Sequence, residues 1–163
     1  MLDKVIRSTA VAVLLTYAAP VVAHGPAAKT ATAASLAPSA RSAAATVDAF
    51  HSALRRGDTQ VAAALLANDV LIFEGGGVER SRAEYESHHL GADAAFSKAV
   101  PSALTRRSGE AIGTLAWIAS EGRTTGTYNG KPVDRLTAET IVLRRAGRGW
   151  KIVQIHWSSA APR

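Results

Sequence analysis

The chain has 163 residues, a formal charge of +6, 47% hydrophobic residues and no cysteine. That length accommodates one domain with a sizeable core but not two. The absence of cysteine excludes a disulfide framework and a thiolate centre. The basic residues are scattered in pairs such as Arg55-Arg56, Arg106-Arg107 and Arg144-Arg145, with no stripe of cations and interleaved aromatics, so no nucleic-acid partner is expected.

Residues 1–23 have the pattern of a signal peptide. Lys4 and Arg7 precede an apolar run over 10–19, Pro20 breaks it, and Val21-Val22-Ala23 offers small residues for cleavage before His24. A run of about 10–14 residues is too short to span a bilayer, which takes about 20. The expected product is exported, periplasmic or secreted, with no stable membrane insertion after cleavage. Residues 24–42 are rich in Ala, Pro and Ser without apolar periodicity and read as a disordered tail. Cleavage after Ala23 would place a free amine beside the His24 imidazole, a two-nitrogen chelate suited to copper.

The folded part is expected over 43–160. Val47, Phe50-His51 and Leu54 recur at helical spacing and predict a first helix over 43–56. Gly57 ends it. Asp58 caps a second, short helix that directs Val61, Ala64-Leu65 and Ala67 inward. Asn68-Asp69 turns the chain into a short buried strand over 70–73, followed by Glu74 and Gly75-Gly76-Gly77. Ser81 and Glu84 form a capping box for a third helix, with Tyr85, His88-His89, Ala92 and Phe96 along it. After Pro101 the pattern is strand-like over 102–108, 111–127, 132–145 and 150–158. Asn129-Gly130 is a strong hairpin turn, because both residues tolerate positive φ. Gly147-Arg148-Gly149 supplies the next turn. Three helices followed by an antiparallel meander give an α+β fold with helices on one face of a curved sheet.

The two tight turns set a register. Counting outward from Asn129-Gly130 pairs Ser120 with Glu139. Counting from Gly147-Arg148 pairs Glu139 with His156, Ile141 with Gln154 and Leu143 with Ile152. Directly opposed side chains share a face. One face then holds Ile118, Ser120, Leu143, Ile141, Glu139, Ile152, Gln154 and His156. The other holds Trp117, Val142, Thr140, Val153, Ile155 and Trp157. Both faces are largely apolar, so either a partner subunit covers the second one or a bulge shifts the register, because a one-residue slip exchanges the faces.

The runs Gly122-Arg123-Thr124-Thr125-Gly126-Thr127, Thr137-Ala138-Glu139-Thr140 and Gly149-Trp150-Lys151-Ile152-Val153-Gln154-Ile155-His156-Trp157-Ser158 resemble the C-terminal half of SnoaL-like domains of the nuclear transport factor 2-like superfamily. They are also similar to the association domain of calcium/calmodulin-dependent protein kinase II. The resemblance implies a cone-shaped, curved antiparallel sheet wrapped around three N-terminal helices. It also implies a homodimer or larger ring through the outer sheet face. Isomerases, dehydratases, cyclases, transport receptors and scaffolds share this cone, so fold alone does not assign an activity.

The candidate pocket groups are Glu74, Tyr85, His88, His89, Ser120, Glu139, Gln154 and His156. Tyr85, His89, Ser120, Glu139, Gln154 and His156 form the expected ligand-binding set, with His89 favoured over His88 to face the cone. Glu74, His88, His89 and His156 supply the imidazoles and carboxylate that zinc or copper would take. His156 and Glu139 are the candidate catalytic pair for acid–base work. The leading expectation is an exported pocket protein that binds a small-molecule ligand or a divalent metal. The alternatives are an isomerase, dehydratase or cyclase with a His-Glu pair, and a scaffold for oligomerisation. Whether the chain is an enzyme stays open at this point.

Overall fold

The computed structural model describes residues 35–162. The signal-peptide segment 1–23, His24 and residues 25–34 of the tail lie outside the described residues. A short 3-10 turn at Pro38–Ala40 leads into α1 (Arg41–Arg56) and α2 (Thr59–Leu65). Then come β1 (Leu66–Glu74), β2 (Gly77–Glu79), α3 (Arg82–His88), α4 (Leu90–Ala99), β3 (Ser102–Ile112), β4 (Leu115–Tyr128), β5 (Lys131–Ala146) and β6 (Gly149–Ala160).

The sheet order is β2-β1-β6-β5-β4-β3, curved and unclosed, with the helices on its concave side. The α+β cone is therefore observed. The sheet is antiparallel except between β1 and β6, which run parallel because the chain crosses over through α3, α4 and the meander before returning beside β1. Among the described residues no helix is long and apolar enough to cross a membrane.

Local chemistry explains the helix ends. α1 buries Ala43, Ala44, Val47, Phe50, Ala53 and Leu54 at three- and four-residue spacing. Gly57 closes it at φ 74°, a left-handed conformation that glycine adopts without steric cost. The Asp58 side chain accepts a hydrogen bond from the Val61 amide at 3.1 Å and starts α2. α2 buries Ala62 and Ala63; of the residues expected inward, Val61 and Ala64 are exposed, while Leu65 packs against the core and Ala67 is buried. With seven residues, α2 is too short to express a periodic stripe. Ser81 Oγ accepts from the Glu84 amide at 3.0 Å as a cap. Glu84 in turn accepts from the Arg80 amide at 2.7 Å, one residue before the position a capping box uses. The expected third helix is two, because the chain bends at His89 between α3 and α4.

Residues 35–42, read from composition as part of a disordered tail, are docked on the sheet. The Ala37 amide donates to the Gly109 carbonyl at 2.9 Å, Leu36 bridges Gly109 in parallel, and Ala40 is fully buried. Only glycine fits at Gly109. A Cβ there would lie 2.6 Å from the Trp117 carbonyl oxygen and 2.7 Å from Ile118 Cδ1.

The register holds at the hairpins, where Tyr128 pairs with Lys131 and Ala146 with Gly149. Ser120 opposes Glu139 as expected. Between β5 and β6 the expected register fails beyond Leu143–Ile152. The next pair is Val142 with Gln154, so Val153 is an extra residue in β6. This β-bulge moves every later β6 residue to the other face. Ile141 therefore faces Ile155, and Glu139 faces Trp157 rather than His156. Ile155 and Trp157 enter the cone, and Gln154 and His156 leave it.

Gly109→Ala should destabilise the protein by about 1–3 kcal/mol, as overpacking against fixed backbone does. Urea unfolding of variant and wild type measures this directly. A variant as stable as wild type would show that β4 does not pack closely against β3 at Gly109.

Candidate functional site

Inside the cone the sheet builds two adjacent cross-strand rows. The first is apolar: Ile72, Ile155, Ile141 and Ile118, ending at Gly109. Its four isoleucines are essentially fully buried. Two residues further along each strand, the second row reads Glu74, Trp157, Glu139, Ser120 and Arg107. The change from apolar to polar occurs on four of the five strands, with Trp157 contributing only its indole N–H, and a cavity of about 600 Å³ opens above it.

α1 supplies the opposite wall. Asp48, His51 and Arg55 follow each other at helical spacing on its flank and line the cavity with Leu54. His51 Nε2 and Glu139 Oε2 are 2.7 Å apart. The Trp157 indole N–H donates to the same Glu139 oxygen at 2.7 Å. The Trp157 indole stacks on Phe50 with ring centroids 6.4 Å apart, and Phe50 also meets His51 edge-on. The aromatic core thus holds both partners of Glu139. Beside them Arg107 donates to Ser120 Oγ at 3.2 Å and to Asp48 at 2.5 Å.

Burial alone would raise the Glu139 carboxyl, and this is the largest single effect. The His51 hydrogen bond and charge, the Trp157 indole and the Arg107 charge together outweigh it and hold the group below its ordinary value. The two carboxyls on the β1/α4 wall behave oppositely. Burial raises Asp93, against the pull of the Tyr85 hydroxyl and His89. Glu74 is raised by partial burial and then by the neighbouring Asp93 and Glu79 charges, with His89 opposing. One cavity thus holds one carboxyl kept ionised and two that retain protons to higher pH.

Glu74 and Asp93 also border a side recess of about 380 Å³ with Glu79, Tyr85, His88 and His89. Tyr85 is fully buried and its hydroxyl donates to Asp93 at 2.7 Å. Burial, then the Asp93 charge and hydrogen bond, push its phenol upward. His89 pairs with Glu79 through Nδ1, and this bond raises the imidazole.

The structure brings Glu74, Ser120 and Glu139 of the expected set to the main cavity. Tyr85, His88 and His89 fall in the side recess. The expectation that His89 faces the cone fails because the chain bends at that residue and turns the ring toward β2. Gln154 and His156 lie on the outer face, where His156 is exposed and meets Phe73 edge-on at 6.3 Å. The His156–Glu139 pair is therefore corrected to His51–Glu139. Among the described residues no group of three or more His, Asp or Glu side chains is placed to hold a metal ion, so Glu74, His88, His89 and His156 do not assemble a zinc or copper site. Asp69 is exposed and forks with Arg144 at 2.9 and 3.1 Å, an ordinary surface pair. Sequence reasoning missed Asp48, His51, Asp93, Arg107 and Trp157. The three- and four-residue spacing of Asp48, His51 and Arg55 is the available signal, masked because His51 adjoins Phe50 of the apolar stripe.

The SnoaL-like domain profile matches residues 43–162. No curated protein matches the chain. Among solved structures, a candidate ketosteroid isomerase from Shewanella frigidimarina is 39% identical. It covers 72% of this chain and 94% of its own, with a TM-score of 0.69. A candidate dehydratase of the nuclear transport factor 2-like family from Streptomyces avermitilis is 22% identical over 76% of this chain and 98% of its own, with a TM-score of 0.65. A candidate calcium/calmodulin-dependent protein kinase II association domain from Xanthomonas campestris is 24% identical over 79% and 95%, also at 0.65. The latter two likenesses show the fold. With the profile spanning most of the chain and the Shewanella protein 39% identical over the aligned part, the chain belongs to the SnoaL-like domain family.

Proposed function

We propose that the cone binds a small carbonyl compound and moves a proton on it, in the manner of an isomerase or dehydratase, with Glu139 as the base. The split between carboxyls in one cavity carries this reading. Divergent environments for paired titratable groups are how a site separates base from acid. Both donors to Glu139 use Oε2, which leaves Oε1 free to take a proton from the carbon beside a carbonyl. The electron pair moves onto the carbonyl oxygen, and Asp93 on the facing wall can supply a proton there. Return of the proton from Glu139 to a different carbon, as the enol oxygen hands its proton back to Asp93 and the carbonyl re-forms, completes an isomerisation. His51 and Trp157 keep Glu139 ionised and oriented. The likeness to a candidate ketosteroid isomerase and a candidate dehydratase supports this class.

A second reading concerns assembly. On the outer face Trp117, Leu115, Ile112 and Leu71 are exposed, from 36% to 67%. Apolar clusters of this kind mark contact surfaces, and we propose self-association there. The hub-type relatives have the same fold. The charged start, short apolar run and small-residue site within 1–23 support export of the chain.

Glu139→Gln should slow deuterium incorporation next to the carbonyl of a bound cyclic ketone by about 10²–10⁴-fold, the usual contribution of a positioned acid or base. Mass spectrometry in deuterated buffer reads this. Equal exchange in variant and wild type would remove Glu139 from the chemistry and leave a binding pocket only.

The pH dependence has two signs. Glu139 is lowered from 4.5, so its contribution to stability is present above that value and lost as pH falls through its folded value. Asp93 is raised from 3.8, so its contribution is present below that value and lost as pH rises through its folded value. Asp93→Asn preserves an acceptor for Tyr85 and removes the titration. Its stability relative to wild type should therefore improve from pH 3 to pH 7 in urea unfolding. A relative loss over that range would contradict the assigned direction.

Light scattering at micromolar concentration should show a dimer or larger ring for wild type, and a smaller species for Trp117→Glu. A monomeric wild type would end the assembly reading.

A further inference from the structure

The cavity changes character along its depth in a way that specifies its ligand further. Beyond the Glu139 row, β5 directs Thr137 and then Arg135 to the same inner face, by alternation. Thr137 sits opposite Gly122, and Arg135 opposite Thr124, which in turn pairs with Ser102. Leu54, Phe96 and Leu104 line the walls, and Val100 and Val133 line the cavity beyond Arg135. From the catalytic row outward, the ligand would meet an acid–base pair, then apolar walls with hydroxyls, then a guanidinium.

Arg135 differs from its neighbours. Six arginines lie on the strands. Arg106 pairs with Glu121, Arg107 with Asp48, Arg123 with Asp134 and Arg144 with Asp69, and Arg145 stacks over Trp150 at 4.2 Å. Among the described residues Arg135 alone of the six has no anionic, hydrogen-bonding or aromatic partner, and it lines the cavity. The adjacent Asp134 points to the outer face and is engaged in a two-pronged bond with Arg123 at 2.8 Å. Arg55, at the end of α1, adds a second cation to the same lining.

Resting on the carbonyl-pocket reading above, we propose that the ligand is an elongated amphiphilic acid whose carboxylate binds Arg135 while its carbonyl end reaches Glu139. Four residues separate the two positions on β5, about 13 Å of extended strand. Side-chain reach shortens this, so a carbonyl and carboxylate separated by roughly eight bonds match the span. Arginine suits this role because its planar fork donates two parallel hydrogen bonds to a carboxylate. A neutral ligand of the same shape would leave the guanidinium unused.

The test uses 9-oxodecanoate and its methyl ester as matched probes, titrated calorimetrically into wild type, Arg135→Gln and Arg135→Lys. The acid should bind wild type at least about 10-fold more tightly than the ester, as expected for charge-assisted hydrogen bonds. Arg135→Gln should abolish that preference and leave ester affinity unchanged, and Arg135→Lys should retain part of it. Equal binding of acid and ester to wild type overturns the acid proposal while leaving the pocket reading in place. So does a preference that survives Arg135→Gln. Failure of both probes to bind wild type overturns the two together.

Discussion

The interior depends on one extra residue in β6. Val153 bulges between the pairs Leu143–Ile152 and Val142–Gln154, and everything beyond it rotates by one face. Without the bulge, Gln154 and His156 would point into the cone, and Ile155 and Trp157 would point out. The apolar row would lose Ile155 from its middle, and Glu139 would lose the indole that holds it. With the bulge, Trp157 stacks on Phe50 and donates to Glu139, so core packing and site geometry share one aromatic contact. The cost of one unpaired backbone position is set against a filled core and a satisfied buried carboxylate.

Electrostatics then separates the two walls. On the α1/β3 side, His51 and Arg107 stabilise negative charge on Glu139. On the β1/α4 side, burial raises Asp93 and Glu74, and the Tyr85 hydroxyl and His89 offset this only in part. This asymmetry comes from the helices, because the sheet row alone carries two carboxylates and one guanidinium. α1 brings Asp48 and His51 across the cavity, and the bend at His89 turns α4 so that Asp93 reaches the wall. An elongated ligand anchored by Arg135 would lie along β5 between these walls.

Much of the architecture was legible beforehand because it rests on short-range chemistry. Gly57, Asp58 and Ser81 act on neighbours within a few residues, and their turns and caps appear where the residue types require them. Asn129-Gly130 placed Ser120 opposite Glu139 correctly over nine residue pairs, since no bulge interrupts that hairpin. The docked segment at Leu36 was not legible. Its composition carries no periodicity, and its partner Gly109 lies more than seventy residues away.

By itself the sequence determined the α+β order, the hairpin turns, the polar character of Glu139 and Ser120, and the family likeness, because each follows from local conformational preference or from a contiguous pattern. The tertiary structure alone decided which histidine meets Glu139. A bulge has no marker in β6, where apolar residues such as Ile152, Val153 and Ile155 occupy both alternations, since either register buries apolar side chains. His51 approaches Glu139 only once α1 packs across the sheet, at a sequence separation that no periodicity encodes. The unpaired state of Arg135 is likewise a property of the fold, because Asp134, beside it in sequence, lies on the opposite face and is engaged by Arg123.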